Sequence, residues 1–353
     1  MPRVAHEALG EMVVGILQAA GASEAEAQTV REHMIKANLV GHDSHGVILL
    51  PTYIERIARG HIVPGAPFEI VAESPTTARI NGHWGFGQVV STRAMELAIQ
   101  KARTLNVAAV TVFQQSHVGR LADYPIMAAQ AGMIGIMACD SGRTNKSVAP
   151  YGGRTRRLGT NPMSIALPSD LEGPVFLDMA TSAVAAGKIA VARNRKQAVP
   201  LGWIIDKEGQ PTTDPQAFYD GGAILPLGGD QAHKGYGLSF MVETLSGLLT
   251  GLGYGFDPSG PHNDGAFMAV FNVEAFYPLT EFKKMLSGFI AYLKDSPPAA
   301  GFQEVLYPGE LEYRTEQQRR RTGIPVEEET WRQLVALAER FAVSVPPVEA
   351  EES

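Results

Sequence analysis

The sequence predicts an α/β protein with a helical N-terminal unit, and three observations carry that expectation. Apolar residues recur at helical spacing through the first 60 positions, and apolar β-rich runs alternate with helices from Val107 onward. No Gly-x-Gly-x-x-Gly follows a strand. The nearest cluster, Gly251-Leu252-Gly253-Tyr254-Gly255-Phe256, follows a helix and lacks the last glycine, so any dinucleotide site here is not of the Rossmann type.

A chain of 353 residues can bury a substantial core and form two or more structural units. Hydrophobic residues make up 45% and charged residues 19%, the balance of an ordinary globular protein. A net charge of −7 without a sustained basic stripe argues against a nucleic-acid partner. The single cysteine, Cys139, excludes an internal disulfide, suits a reducing compartment and reads as a buried small hydrophobe. Glu7 and Glu11 fall where a secretion signal needs an apolar core, and no run reaches membrane-spanning length. A cytoplasmic protein with no membrane partner is expected.

Leu9, Met12, Val13, Ile16 and Leu17 share one face of a helix over 7–20 that Gly21 ends. Ser23 and Glu26 form a Ser-x-x-Glu capping box for a second helix reaching Leu39. Val47, Leu50, Ile54 and Ile57 predict a third helix over 47–59, with Pro51 near its first turn and Gly60 closing it. Pro64-Gly65-Ala66-Pro67 marks a break in composition. Strands over 68–72 and 77–80 precede a turn expected at Asn81-Gly82, then a helix over 88–105 and a strand over 107–113. A helix over 121–131 and buried strands over 133–139, 164–167 and 174–177 follow. Trp203–Asp206 opens a hairpin, and a long apolar helix is expected over 238–250. A strand over 266–273 and helices over 280–293, 313–322 and 328–341 close the fold, with a disordered tail expected at 346–353.

The stretch Gly41-His42-Asp43-Ser44-His45-Gly46 places a Ser-His pair at a loop-to-helix junction, which makes His45 a candidate proton-transfer group beside Ser44. A second Ser-His-x-Gly, Ser116-His117-Val118-Gly119, sits between a strand and a helix, where α/β architectures place catalytic side chains. Loops at 148–153 and 158–162 are rich in glycine and proline and offer backbone groups to a ligand. A strand ending near Asp178, hydroxyls at Thr181 and Ser182 on an expected helix start, and Lys188 would suit the sugar and phosphates of a nucleotide. Plain helix capping by Thr181 and Ser182 is the alternative. His233 and Lys234 mark a second anion-friendly helix entry. The spacing of His42, His45 and His61 is easily met by chance, and no cysteine or Glu motif supports it, so no metal site is expected.

Read together, these segments resemble the malate/L-lactate dehydrogenase family of the second, non-Rossmann type, which also contains ureidoglycolate, sulfolactate and cyclic-imine enzymes. The matching pieces are Gly41–Gly46, Ser116-His117-x-Gly119, Pro150-x-Gly152-Gly153, Leu158-Gly159-Thr160-Asn161-Pro162, Asp178–Ser182 with Gly187-Lys188, Asp214-Pro215, Pro226–Gly229 and Lys234–Leu238. They hold their order from about residue 5 to 340, and the text around Gly41–Tyr53 and Pro308–Arg321 is most similar to the hydroxycarboxylate dehydrogenase B branch.

The resemblance implies an α/β fold with a large, mostly antiparallel sheet wrapped by helices, a smaller α/β part and a helical part from both termini. In this chain the implied limits are 1–62 packed with 310–345, a substrate part at 63–118 and a cofactor-binding part at 119–309. It further implies a homodimer that transfers a hydride between NAD or NADP, NAD being favoured, and a small 2-oxo or 2-hydroxy acid, with a cyclic-imine reductase or a malate/lactate dehydrogenase proper as the alternatives. His45 or His117 would serve as acid/base, His45 slightly ahead. Gly119, Arg120, Leu121, Asn161, Asp178, Met179, Ala180, Lys188, His233, Lys234, Gly309, Leu311 and Glu312 would face the cofactor. One departure bears on substrate choice. Many members carry an arginine four residues after the Ser-His histidine, and here that position is Leu49. Losing a bidentate carboxylate clamp makes malate less fitting and favours an apolar or aromatic side chain, with Arg120, Arg143 and Lys146 left as carboxylate partners.

Overall fold

The computed structural model describes residues 1–140, 142–143, 145–257 and 260–348. Part of the expected tail, from 349 on, lies outside the described residues.

The chain opens with β1 (Arg3–Val4), α1 (His6–Ala19) and α2 (Glu24–Leu39). The capping box forms: Ser23 Oγ accepts from Glu26 N at 3.3 Å while Ser23 N donates to Glu26 Oε2 at 3.0 Å. The third helix is shorter than its periodicity predicts. Two 3-10 turns, Asp43–His45 and Val47–Leu49, come first, and α3 runs only over Leu50–Ala58. The Asn38 side chain causes this, because its Oδ1 accepts from Val47 N at 2.9 Å and its Nδ2 donates to Asp43 Oδ1 at 2.7 Å. Gly46 between the turns is extended, and a Cβ there would lie 2.1 Å from Asn38 Oδ1.

After the break come β2 (Glu69–Glu73), β3 (Thr77–Gly85), α4 (Gly87–Leu105), β4 (Val107–Gln115), α5 (Asp123–Gln130) and β5 (Met133–Asp140). The turn expected at Asn81-Gly82 does not form, because β3 runs on through it to Gly85. The reversal is at Ser74–Thr77, where Ser74 N donates to Thr77 O at 3.0 Å. Asn81 instead seeds a bulge inside β3: its Oδ1 accepts from His83 N at 3.0 Å, and His83 and Trp84 take φ values of 45° and 65°.

Next are β6 (Met163–Leu167), β7 (Val175–Met179), α6 (Ala186–Asn194), β8 (Ile204–Ile205), β9 (Pro211–Thr212), α7 (Gln216–Tyr219) and β10 (Ala223–Ile224). Thr181 and Ser182 therefore do not open a helix: α6 starts at Ala186, and Thr181 Oγ1 donates to Asn161 O at 2.9 Å. The expected helix over 238–250 begins earlier, as α8 (Ala232–Val242), and passes into a π-helical segment, Glu243–Leu248. The chain ends with β11 (Gly265–Asn272), α9 (Leu279–Lys294), α10 (Glu310–Thr322), β12 (Ile324–Pro325) and α11 (Glu328–Arg340).

Seven strands form the main sheet in the order β2-β3-β4-β11-β5-β6-β7, antiparallel except between β3 and β4. This is the large, mostly antiparallel sheet expected. It takes strands from both sides of residue 118. Ile80, Val110, Val112, Met137, Met268 and Val270 pack under α4 and α5. A three-stranded sheet, β10-β8-β9, has its own small core around Val148, Ile189, Ile204 and Ile224. The two termini meet where β1 pairs with β12, and Leu9, Met12, Ile16, Met34, Leu50, Tyr53 and Leu334 fill the helical core there.

Candidate active site

β4 and β11 are antiparallel neighbours in the middle of the sheet, so the chain leaving β4 meets the chain entering β11 at one end of the strands. Asp264 N donates to Gln115 O at 3.0 Å, and Asp264 Oδ2 accepts from Val118 N at 3.0 Å, which fixes the 115–118 segment. His117 is held there from the helical side as well. Tyr53, on α3, brings its hydroxyl to 2.7 Å from His117 Nδ1 and 3.4 Å from the His117 carbonyl. Gln88, at the start of α4, donates from Nε2 to the same hydroxyl at 2.7 Å. His45 stacks on His117 with ring centroids 5.7 Å apart, and Ser44 Oγ lies 3.0 Å from His45 Nδ1. His262 stands 5.8 Å from His117 and pairs with Asp264, Nε2 to Oδ1, at 2.7 Å. Both sequence-predicted histidines thus belong to one cluster of three imidazoles around one buried carboxylate.

The electrostatics follow from burial. Burial pushes His45 down to about 4 and His117 down to about 3, against the pull of Asp264, so both rings are neutral at pH 7. Burial also opposes ionisation of Asp264, yet the His262 and His117 rings and the Val118 N–H hold its carboxyl below the usual range. Tyr53, wholly buried, is raised well above an ordinary phenol and stays protonated.

A second group of expected residues lies beside this cluster. Asp178 falls within β7, and its Oδ2 accepts from Ala122 N at 2.9 Å. Its Oδ1 has no hydrogen-bond partner among the described residues. His42 Nε2 is 3.5 Å from Glu312 Oε1 on α10, and that contact, chiefly, lowers the Glu312 carboxyl. Gly309 seats this stretch: its φ of 99° and a Cβ position 2.4 Å from Pro174 O demand glycine. Met179 and Ala180 continue from Asp178, and Leu311 is exposed.

Several expected contributors lie elsewhere. The Arg120 side chain is 1% exposed, donates to Asp123 Oδ1 at 2.7 Å and sits over the Phe176 ring, and from behind the site its charge acts on His45 and Asp178. Lys146 is likewise buried, with its ammonium 3.2 Å from Glu243 Oε1. Neither is open to a substrate carboxylate. Arg143 is exposed and 3.9 Å from Asp257. Asn161 Nδ2 donates to Glu243 Oε2 at 2.9 Å, inside the protein. Lys188, His233 and Lys234 lie on the surface, His233 edge-on to Tyr151.

Sequence reasoning missed Tyr53, Gln88, His262 and Asp264. Tyr53 reads as one more residue of an apolar stripe, and Gln88 as one polar position on a helix. Only His262-x-Asp264, a charged pair at the entry to a strand, leaves a local signal.

The comparisons with known proteins agree with this geometry. A family model described as malate/L-lactate dehydrogenase matches residues 4–335. The chain is 38% identical to a malate dehydrogenase of Pyrococcus horikoshii over 97% of its own length and 96% of that protein's. It is 32% identical to hydroxycarboxylate dehydrogenase B of Escherichia coli O157:H7, covering 98% of this chain and 96% of that one. A crystal structure of malate dehydrogenase from Entamoeba histolytica superposes with a TM-score of 0.91 at 32% identity, covering 98% of this chain and 99% of that chain. With the family model matched over nearly the whole chain, and the fold of this mostly antiparallel sheet and its helices shared with the dehydrogenases above, the chain belongs to the malate/L-lactate dehydrogenase family.

Proposed function

We propose that this protein transfers a hydride between a nicotinamide cofactor and a small 2-oxo or 2-hydroxy acid, with His117 as the proton-transfer group. The observation that carries this reading is the chain Gln88–Tyr53–His117, with the Asp264 carboxylate acting on the ring through its charge. Oxidation of a 2-hydroxy acid needs an oriented base to take the hydroxyl proton, a role open to the neutral His117 ring. In reduction the imidazolium returns that proton where charge develops on oxygen. The Tyr53 hydroxyl can serve both protonation states of His117. It donates to Nδ1 of the neutral ring. When the ring is charged it accepts from Nδ1–H and turns its own proton to the His117 carbonyl at 3.4 Å. The Asp264 carboxylate offsets the positive charge of the imidazolium. His45, with no comparable chain of supports, stacks on His117 and shapes the pocket.

The cofactor supplies the hydride when bound. Asp178 fits it: a half-buried strand-end carboxylate keeps one oxygen on Ala122 N–H and leaves the other without a partner among the described residues, as ribose hydroxyl donors require. His42 and Glu312 would close the same side. The Leu49 position favours substrates with an apolar or aromatic side chain. A second copy of the chain is the natural cover for α9, where Met285, Phe289 and Tyr292 form one exposed stripe.

The test is oxidation of NADH and NADPH against pyruvate, phenylpyruvate, 2-oxoglutarate, oxaloacetate and a cyclic 2-imino acid. Turnover with the 2-oxo acids, lost in His117→Asn and retained at a reduced level in His45→Asn, supports the assignment. Turnover with the imine alone, or full activity in His117→Asn, overturns it.

A further inference from the structure

A 2-oxo acid carries a carboxylate that a buried site must match with a cation, and the cations around His117 are few. Arg120 is buried, with one N–H on Asp123 and its plane over Phe176, and Lys146 is buried against Glu243. Arg56 differs from both. It lies on α3, half-buried, and among the described residues its guanidinium has neither a hydrogen-bond nor an ion-pair partner. Its neighbours do not compete for it, since Glu55 pairs with Arg59. Spacing aims it at the site. Leu49, Tyr53 and Arg56 follow one another at i, i+4 and i+7, so Arg56 shares the helix face whose Tyr53 hydroxyl touches His117. The Arg56 charge is also among those that act on both the Tyr53 hydroxyl and the His117 ring.

We infer that Arg56 is the carboxylate anchor of this enzyme, a specificity-determining residue that binds the substrate's carboxylate from one turn beyond Tyr53 while Leu49 leaves the side-chain pocket apolar. The inference rests on the 2-oxo acid reading above. An unpartnered guanidinium offers a planar fork of donors that matches a carboxylate, and the half-buried position strengthens the pairing over one made in open water.

The experiment compares wild type with Arg56→Ala and Arg56→Lys, each on a 2-oxo acid and on its neutral amide (phenylpyruvate and phenylpyruvamide), with melting temperatures measured in parallel. In Arg56→Ala the KM for the acid should rise about 10- to 100-fold, the range of a charge-assisted hydrogen bond. The KM for NADH and the turnover of the amide should stay within about twofold, and added guanidinium should recover part of the loss. Arg56→Lys should fall between the two. Equal losses on acid and amide, or an unchanged KM for the acid, would overturn the assignment while leaving the reductase reading intact. Absence of 2-oxo acid turnover in the wild type would overturn both. If Arg56→Ala fails to fold, the acid-to-amide preference of Arg56→Lys decides.

Discussion

The Tyr53 hydroxyl lies 2.7 Å from His117 Nδ1, a contact between a helix of the N-terminal unit and the loop that leaves the central sheet. The residues are 64 positions apart in sequence. The proposed proton-transfer group, His117, is therefore oriented across the junction of two structural units, and its geometry depends on how α3 docks. Tyr53→Phe keeps the ring in its apolar bed and removes only the hydroxyl. It should lower kcat roughly 10- to 100-fold, a share of what an oriented acid–base group contributes. It also leaves Gln88 Nε2 without its acceptor, which should cost about 1–3 kcal/mol in a denaturant titration. A variant with wild-type kcat would show that His117 needs no support from α3.

Gly46→Ala tests the local scaffold under His45. A Cβ there would stand 2.1 Å from Asn38 Oδ1, the atom that ends the loop by accepting from Val47 N. The Asn38 side chain must move and give up its bonds to Val47 and Asp43. We expect about 1–3 kcal/mol of destabilisation and a loss of activity that adding substrate does not repair, read from thermal melts and steady-state kinetics.

Acid sensitivity follows from the two half-buried imidazoles, His45 and His117. Folded His45 and His117 take up protons only near 4 and 3, whereas the unfolded chain does so near 6.5. Below about pH 6.5 the unfolded state binds the extra protons, so stability falls as pH drops toward 4. Asp140 works the other way, since burial and then Glu243 raise it to about 7, and its share of stability is lost as pH rises toward 7. The double variant His45→Asn/His117→Asn should show a shallower loss of stability between pH 6.5 and 4 than wild type, by chemical denaturation at each pH. An identical slope would mean that other groups govern acid unfolding.

The α9 stripe makes a prediction about assembly. Met285, Phe289 and Tyr292 are 63%, 57% and 76% exposed at i, i+4 and i+7, while Ile290 is the one buried residue of the helix. Light scattering should give twice the chain mass for wild type, and Phe289→Glu with Met285→Lys should shift it toward monomer. A monomeric wild type would leave this face without its proposed cover.

Much of the fold was legible in the sequence because it is locally encoded. The capping box at Ser23, the helical periodicities, the strand over 107–115 ending just before His117, and the late helices all follow from neighbouring residues. The early turns around His45 did not, because Asn38, nine positions from Val47, supplies the bonds that break the helix. Asn81-Gly82 misled for a similar reason. The dipeptide has turn chemistry, and pairing with β4 across the sheet turned it into a bulge.

The sequence by itself determined that His45 and His117 are the residues to watch and that Asp178 closes a strand. Tertiary structure alone decided their surroundings. Tyr53 and Gln88 come from different helices, and Asp264 lies 147 positions from His117 in the chain. It reaches the site because β11 inserts between β4 and β5. It also decided which cations are free: Arg120 and Lys146 find carboxylates inside the protein, and among the described residues Arg56 finds none. Whether a charge is paired depends on what folding brings within a few ångströms of it, and such long-range contacts leave no trace in residue spacing.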